Sequence, residues 1–391
     1  MKLGAGCHFQ ASIANFEVLT GFSFVWKAQK RGENWYRIHD LLRRLDADRD
    51  NPKTRRAHEV LEGHYRELGD GAESIFHANR LDWERGVEEW VEVFEKALLL
   101  SRYGECESLL GVRDELWIKS DFRLGRISVS EADYYAQLAR HAEAKQEYLE
   151  AVAAYDSELI LTPDDEATLN NKGIVLRCLG DLQTQLSEFE AAKLSYSEAI
   201  AAFNSALLIA PEYNYALNNK GNTLSSLGDV QAQLSEFEEA KKSHSEAIGA
   251  YDSALVIATN DICALTNKGI ALQRLGELEA RLSEQARLSE FEAAKQYYFD
   301  AISAYNSALQ IAPNYILALR NKGTVLRSMG DLQAKLSEFE AAKQYYFDAI
   351  ATYNYALLIA PYHIYTLNNK GLALQILGYL QAKLSEQQEA L

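Results

Sequence analysis

The side chains best suited to catalysis in this chain do not have the spacing that catalysis or metal binding needs. The sequence contains eight histidines and four cysteines. His58 and His64 do not have the H-x-x-x-H spacing that places two zinc ligands on one face of a helix. The cysteines form no C-x-x-C pair, and the chain contains no G-x-S-x-G elbow and no G-x-x-x-x-G-K-[ST] phosphate loop. We therefore expect no enzymatic activity, no metal and no cofactor.

Composition and charge argue against two further classes of function. Hydrophobic residues make up 48% of the chain, and the formal net charge is −16. Because a nucleic-acid surface attracts Lys and Arg, an acidic chain argues against DNA or RNA as the main partner. No run of about 18 apolar residues occurs, so we expect no segment to span a membrane. Widely separated cysteines are typical of reduced thiols, which predicts a cytoplasmic location.

A repeat of 48 residues organises the C-terminal two thirds of the chain. The segment NNKG at Asn170–Gly173 returns in related form at Asn218–Gly221, Thr266–Gly269, Arg320–Gly323 and Asn368–Gly371. The spacings between the glycines are 48, 48, 54 and 48 residues. Apolar residues recur at helical spacing within each unit, so each unit is predicted to form two antiparallel helices. A count of only five prolines agrees with an all-helical chain.

Local signals predict where these helices begin and end. The second helix of most units stops near an Ala-Pro step, because the residue before proline leaves the helical region. The motif S-x-x-E is typical of a capping box at a helix N-terminus. It recurs as Ser187/Glu190, Ser235/Glu238, Ser289/Glu292 and Ser337/Glu340. The unit of 54 residues carries an insertion between Arg281 and Glu290, which predicts a longer or locally bulged hairpin.

The repeated pattern resembles the tetratricopeptide repeat (TPR). In residues 216–259, the small-residue signature of that family falls on Gly221, Gly228, Ala247, Tyr251 and Ala254. The resemblance covers residues 131–391 and implies an all-α, TPR-like solenoid of antiparallel helix hairpins, coiled as a right-handed superhelix. The units lie near 166–213, 214–261, 262–315, 316–363 and 364–391, the last being incomplete.

The units are longer than the family norm of about 34 residues. The excess of about 14 residues is close to four helical turns, which predicts two added turns on each helix rather than a loop. The added length places Gly180, Gly228, Gly276, Gly330 and Gly378 inside or beside the first helices. A kink at these glycines is the alternative interpretation.

The resemblance also implies a binding groove, because the first helix of each hairpin lines the concave surface of TPR arrays. Asparagine amides on that surface can hydrogen bond to an extended peptide, and arginines can bind acidic groups. The predicted groove residues are Asn170, Arg177, Asn218, Asn222, Gln273, Arg274, Arg320, Thr324, Arg327, Asn368 and Gln375. The alternative is that these residue types recur only because the units are recent duplicates.

The first 130 residues differ in composition, since all five tryptophans lie there. Residues 18–45 have the pattern of a strand, a charged hairpin, a second strand and a helix. Their closing segment, Tyr36–Arg43, resembles the end of the winged-helix module in STAND (NB-ARC-like) signalling ATPases. That resemblance implies a partial winged-helix segment over residues 1–50 and makes His39 a nucleotide-proximal residue. Residues 51–130 are predicted to form irregular helical hairpins.

The combined prediction is a protein-interaction scaffold that binds a protein or peptide in the concave groove. The N-terminal resemblance makes this scaffold the sensor or regulatory arm of a STAND-type ATPase. Since the chain has no phosphate loop, the ATPase core would be supplied in cis or in trans from outside these residues. The alternatives are a free-standing TPR adaptor without an ATPase and a winged-helix DNA-binding regulator.

Overall fold

The computed structural model describes four short strands, residues 52–285 and residues 291–389. The described residues belong to two compact units, Met1–Ala154 and Tyr155–Leu391. The predicted boundary between residues 130 and 131 falls inside a helix, Asp121–Gln137.

The N-terminal strands form one small sheet. The strands are β1 (Lys2–Leu3), β2 (Cys7–His8), β3 (Val25–Lys30) and β4 (Glu33–Ile38), in the spatial order β2-β1-β4-β3. Strands β3 and β4 pair antiparallel, which confirms the predicted strand hairpin, whereas β1 pairs parallel with β4. His39 and the predicted helix that follows it lie outside the described residues.

The helices of the first unit enclose an aromatic core. They are α1 (Pro52–Leu68), α2 (Gly71–Leu81), α3 (Trp83–Leu99), α4 (Tyr103–Arg113), α5 (Asp121–Gln137) and α6 (His141–Leu161), the last of which runs into the second unit. The indole of Trp90 is fully buried, stacks on Phe94 at 4.5 Å between ring centroids, and donates to the carbonyl of Leu109 at 3.0 Å. Trp90 thus has a core position, while Trp83 is partly buried.

A buried asparagine and a glycine set the close packing of α2 on α3. Asn79 accepts from the backbone N–H of Trp117 at 2.8 Å and donates to the carbonyls of Trp83 and Trp117. A Cβ on Gly86 would lie 2.3 Å from the Asn79 backbone, so only glycine permits this approach. The buried amide group is therefore fully hydrogen bonded, as a polar group in a core must be.

The second unit is a regular series of helix hairpins. Its helices are α7 (Glu166–Gln185), α8 (Phe189–Ile209), α9 (Asn214–Gln233), α10 (Phe237–Ile257), α11 (Ile262–Gln285), α12 (Glu292–Ile311), α13 (Ile316–Lys335), α14 (Phe339–Ile359) and α15 (Ile364–Glu389). The odd-numbered helices are the first helices of the hairpins and the even-numbered ones are the second helices. This arrangement confirms the all-α, TPR-like hairpin solenoid for this part of the chain.

The second helices end at equivalent residues in every unit. Helices α8, α12 and α14 end two residues before a proline. Helix α10 ends at the same position although Thr259 replaces the proline. The inserted residues of the 54-residue unit lengthen α11, which has 24 residues where its neighbours have 20.

Paired glycines determine how each first helix packs on its own second helix. Each of α7, α9, α11 and α13 carries two glycines seven residues apart, and an added Cβ at any of them would lie 2.5–2.8 Å from a ring of the second helix. The pairs are Gly173 with Phe203, Gly180 with Tyr196, Gly221 with Tyr251, Gly228 with His244, Gly269 with Tyr305, Gly276 with Tyr298, Gly323 with Tyr353 and Gly330 with Tyr346. The helices run through these glycines without a break, which confirms the added turns.

The predicted capping boxes are wrong wherever the structure describes them. Their serines end the first helix of the hairpin in a left-handed conformation, with φ of 60°, 63° and 62° at Ser187, Ser235 and Ser337. The N–H of Ser187 donates to the carbonyl of Thr184 and the N–H of Glu188 to that of Gln183, which is the Schellman arrangement. The second helices then begin without a side-chain cap. The fourth motif includes Ser289, outside the described residues.

Candidate functional site

The first helices of the second unit form one continuous face. Each second helix packs on the first helix of its own hairpin and on that of the next hairpin, and the first helices also pack on one another. The first helices therefore line one side of the array together. The predicted groove residues all lie on these helices. We call this surface the groove face.

Several predicted groove residues link neighbouring hairpins. In each case, an amide group donates to a groove-face oxygen of the preceding hairpin. The bonds run from Asn219 to Asn170 (3.1 Å), from Asn267 to Asn222 (2.9 Å) and from Asn369 to Thr324 (3.2 Å). Asn222 also accepts from the hydroxyl of Tyr251 at 2.8 Å, and Asn170 is buried. These side chains therefore contribute to the stacking of the hairpins.

Asn218 takes part in a further link between hairpins through Asp261. The Asp261 carboxylate accepts from the amides of Asn214 and Asn218, at 3.1 and 2.8 Å, and from the N–H of Ala264 at the start of α11. Burial opposes the ionised form of Asp261. The hydrogen bonds from Ala264, Asn218 and Asn214 outweigh burial and hold the pKa of this carboxyl below its usual value.

Three predicted groove arginines are ion paired within the protein. Arg177 binds Asp181 at 2.7 Å, and Arg327 binds Asp331 at 3.2 Å, each one helical turn away. Arg274 lies between hairpins, 3.3 Å from Asp229 and 3.0 Å from Glu277. An acidic ligand would therefore have to compete with an internal carboxylate at each of these guanidinium groups.

The remaining predicted groove residues lie toward the C-terminal end. Gln273 is buried and donates to Glu277 at 2.8 Å. Arg320 donates to Asn321 at 3.1 Å and lies 5.8 Å from the ring centroid of Tyr365. Asn368 and Gln375 are exposed on α15. The structure thus spreads the eleven predicted residues along five helices rather than gathering them into one pocket.

A cavity of about 300 Å³ opens on the groove face between α9 and α11. It is lined by Asp229, Ala232, Gln233, His244, Arg274, Glu277, Leu278 and Arg281. Most of these residues lie on the turns by which the first helices exceed the family's usual length. The added length of the helices therefore extends the groove face and provides most of the cavity wall.

His244 is buried in the wall of this cavity. Its Nε2 lies 3.7 Å from a carboxylate oxygen of Asp229, and its buried Nδ1 has no hydrogen-bond partner among the described residues. Burial, and then repulsion by the Arg274 guanidinium, lowers the pKa of His244 to about 4. Burial also raises the pKa of Asp229, against the attraction of Arg274. The imidazole is therefore neutral near pH 7. A neutral imidazole can donate or accept a hydrogen bond with a ligand.

A second cavity of about 240 Å³ lies between α11 and α13. It is lined by Glu277, Ala280, Arg281, Glu284, Tyr298, Ser328, Asp331, Leu332 and Lys335. Glu277 and Arg281 belong to both cavities. Lys335 is paired with Glu284 at 2.7 Å, whereas Arg281 lies over the Phe237 ring and has no ion pair with any described residue.

Apart from Arg274, the residues around these two cavities were not predicted from the sequence. Asp229, Glu277 and Arg281 occupy later turns of the same helical face, but the family's groove positions end earlier. One signal was available, because His244 interrupts a series of tyrosines that includes Tyr196, Tyr298 and Tyr346.

Two features are absent from the residues that the structure describes. No group of three or more His, Cys, Asp or Glu side chains is placed to hold a metal ion. No described helix is both long and apolar enough to cross a membrane.

The chain is similar to several solved TPR structures. YrrB, described as a TPR protein with an unusual peptide-binding site, is 17% identical, with a TM-score of 0.33 over 62% of this chain and 92% of YrrB. A thermophilic TPR protein of Thermus thermophilus is 16% identical, with a TM-score of 0.36 over 65% of this chain and 97% of that protein. BtubC of P. vanneervenii is 16% identical, with a TM-score of 0.41 over 69% of this chain and 91% of BtubC.

No family model matches the chain, and no curated protein matches it. At such low identity, the solved structures bear on the fold alone. The architecture described above, with its hairpins, paired glycines and continuous groove face, is the basis for any functional conclusion.

Proposed function

We propose that this chain is a protein-interaction scaffold that binds an extended, carboxylate-bearing peptide across the groove face. The peptide backbone lies along α9, α11 and α13, and one peptide carboxylate binds Arg281 between the two cavities. An open groove lined by side chains can bind an extended peptide along its length.

The proposal rests on one observation, the difference in ion pairing among the three cationic side chains that line the cavities. Arg274 and Lys335 are occupied by internal carboxylates. Arg281 has no ion pair among the described residues and is exposed. A guanidinium group can bind a carboxylate through two parallel hydrogen bonds. Arg281 is therefore the cationic residue at which an acidic ligand should bind most strongly.

The predicted groove residues divide into two roles under this proposal. Asn170, Asn218, Asn222 and Thr324 hold the spacing between hairpins through their hydrogen bonds. The exposed amides of Asn368 and Gln375 are free to bind the backbone of a peptide that extends toward α15. Arg177, Arg274 and Arg327 are each ion paired with a carboxylate of the chain itself, so the bound carboxylate of the peptide is assigned to Arg281.

A displayed library of random peptides tests the proposal. Panning against the full chain should enrich peptides that carry an aspartate, a glutamate or a free C-terminal carboxylate at one position. For an enriched peptide, Arg281→Ala should weaken binding about 10- to 100-fold, as expected for loss of a charge-assisted hydrogen bond. The matched control is Lys242→Ala, which removes an exposed cation from the second helix α10 and should leave the affinity unchanged.

Two results would contradict the proposal. Enrichment of the same peptides by wild type and Arg281→Ala would show that the carboxylate does not bind Arg281. Failure of the wild-type chain to enrich any peptide sequence would show that the groove face is not a peptide site.

The finer prediction, a regulatory arm of a STAND-type ATPase, rests on residues 1–50. An antibody against residues 166–260 would measure the size of the native protein in its source cells. A species near 44 kDa supports a free-standing adaptor, and one about twice as large supports an ATPase core in cis.

A further inference from the structure

A hydrogen bond from a tyrosine hydroxyl to an aspartate recurs along the second unit. The hydroxyl of Tyr196 in α8 donates to Asp181 in α7 at 2.8 Å, and that of Tyr346 in α14 donates to Asp331 in α13 at the same distance. In both hairpins the ring follows the aspartate by 15 residues. In the hairpin of α9 and α10 that spacing falls on a histidine, so the carboxylate of this hairpin receives no phenol hydroxyl.

The Asp229 carboxylate of this hairpin keeps one oxygen without a partner. Arg274 Nε and His244 Nε2 lie 3.3 and 3.7 Å from the same oxygen, Oδ1. The second oxygen, Oδ2, accepts no hydrogen bond from any described residue, and the side chain is 40% exposed. Because an ionised carboxylate can accept several hydrogen bonds, Asp229 can accept one from a group that enters from the groove face.

The cavity between α9 and α11 gives such a group access to Asp229. Its volume of about 300 Å³ is at the lower end of the range for small-ligand sites and is large enough for one aromatic side chain. Ala232 and Leu278 form apolar parts of its wall. Two acidic and two basic side chains line the rest, so their formal charges balance. The cavity therefore favours an uncharged side chain that is apolar along its length and ends in a hydrogen-bond donor.

We infer that this cavity binds a tyrosine of the groove peptide. The assignment rests on the proposed function, because this tyrosine belongs to the same peptide whose carboxylate binds Arg281. The ring packs on Ala232 and Leu278, and the hydroxyl donates to Asp229. The peptide thereby supplies the hydrogen bond that the tyrosines of the other hairpins supply from within the chain. Since Arg281 lines the same cavity, the tyrosine lies close to the acidic residue of the peptide.

The probe is the peptide that the wild-type chain enriches most strongly from the displayed library, labelled with a fluorophore. The enriched peptides should carry a tyrosine near the acidic residue. In an anisotropy titration, a copy with phenylalanine in place of that tyrosine should bind about 10- to 100-fold more weakly, as expected for loss of a hydrogen bond to a charged group. A copy with serine should also bind more weakly, because serine leaves the apolar wall uncovered.

The decisive variant is His244→Tyr, because it gives Asp229 a hydroxyl from the chain itself. The tyrosine and phenylalanine peptides should then bind with equal affinity. Asp229→Leu, which removes the acceptor and keeps a side chain of similar size, should make the two affinities equal as well. Thermal unfolding of both variants establishes that they are folded. The matched control is Tyr196→Phe, which removes the equivalent hydroxyl one hairpin earlier and should leave the preference for tyrosine unchanged.

Three results would overturn the inference while leaving the peptide-binding proposal in place. The first is enrichment of acidic peptides that carry no tyrosine, and the second is equal affinity of the wild-type chain for the tyrosine and phenylalanine peptides. The third is a preference for tyrosine that His244→Tyr and Asp229→Leu both retain. Enrichment of no peptide at all would instead contradict the proposed function, and the tyrosine site with it.

Discussion

His244 and Asp229 occupy the positions that Tyr196 and Asp181 occupy one hairpin earlier, but without the hydrogen bond. Tyr196 donates its hydroxyl to Asp181 at 2.8 Å, and Tyr346 donates to Asp331 at the same distance. His244 Nε2 lies 3.7 Å from Asp229. The imidazole ring is shorter than a phenol, and the partly exposed Asp229 carboxylate faces a cavity instead of a tyrosine hydroxyl. This single exchange of ring type sets the groove between α9 and α11 apart from its neighbours.

Replacing His244 with tyrosine should increase stability most at low pH. The folded-state pKa of His244 is about 4, below its usual 6.5, so the unfolded chain binds more protons between these values and stability is lost as the pH falls. The His244→Tyr variant does not lose this stability, which amounts to up to about 1.4 kcal/mol of unfolding free energy per pH unit. The new tyrosine hydroxyl can also donate a hydrogen bond to Asp229. Urea unfolding at pH 7 and pH 4.5 measures the effect. A stability difference that is the same at both pH values would refute this account.

Replacing Glu131 with glutamine should increase stability most at high pH. Burial raises the pKa of Glu131 to about 8, against the attraction of Arg113 and together with repulsion from Glu147. The folded chain therefore holds a proton that the unfolded chain releases near the usual value of 4.5, so stability is lost as the pH rises from about 4.5 to 8. The thermal midpoint of Glu131→Gln relative to wild type should rise between pH 5 and pH 8. Glu198→Gln, at an exposed position of α8, should show no such trend.

Two glycine substitutions in one hairpin should have opposite effects on stability. A Cβ on Gly221 would lie 2.6 Å from the buried Tyr251 ring, so Gly221→Ala should destabilise the fold by about 1–3 kcal/mol through overpacking. Gly249 has open space around it in the middle of α10, so Gly249→Ala should stabilise by up to about 1 kcal/mol. Urea denaturation measures both. A loss of stability in both variants would mean that helix packing does not determine the choice of glycine.

Substitutions at Ser235 distinguish a helix cap from a left-handed turn. With φ at 63°, serine is strained there and glycine is not, so Ser235→Gly should raise the free energy of unfolding by about 0.5–1 kcal/mol. Ser253→Gly, at an exposed position within α10, should lower it by about 0.5–1 kcal/mol. If the serine side chain capped α10 instead, Ser235→Gly would change stability by a few tenths of a kcal/mol or less and Ser235→Ala would cost about 1 kcal/mol. Thermal and urea unfolding of the three variants decide the matter.

The sequence alone was sufficient for the architecture of residues 166–391. Gly221 and its counterparts recur at 48-residue spacing, which indicates that the same helix pair is repeated with the same packing. The extra turns could be predicted as well, because an insertion of whole helical turns preserves the side of the helix on which Gly228 lies. These are periodic properties of the chain itself, and they do not depend on which hairpin contacts which.

The tertiary structure, by contrast, determines which polar side chains are paired with other groups of the chain. The sequence cannot tell that Arg177 is paired with Asp181 while Arg281 is unpaired among the described residues, since the pairing depends on where neighbouring helices place their carboxylates. The S-x-x-E motif fits both a cap and a Schellman turn, and only the chain reversal between α9 and α10 places Ser235 in the left-handed conformation. The cavity beside His244 has the same origin. Local pattern determines helices, whereas the packing of one hairpin on the next determines which groups remain free to bind.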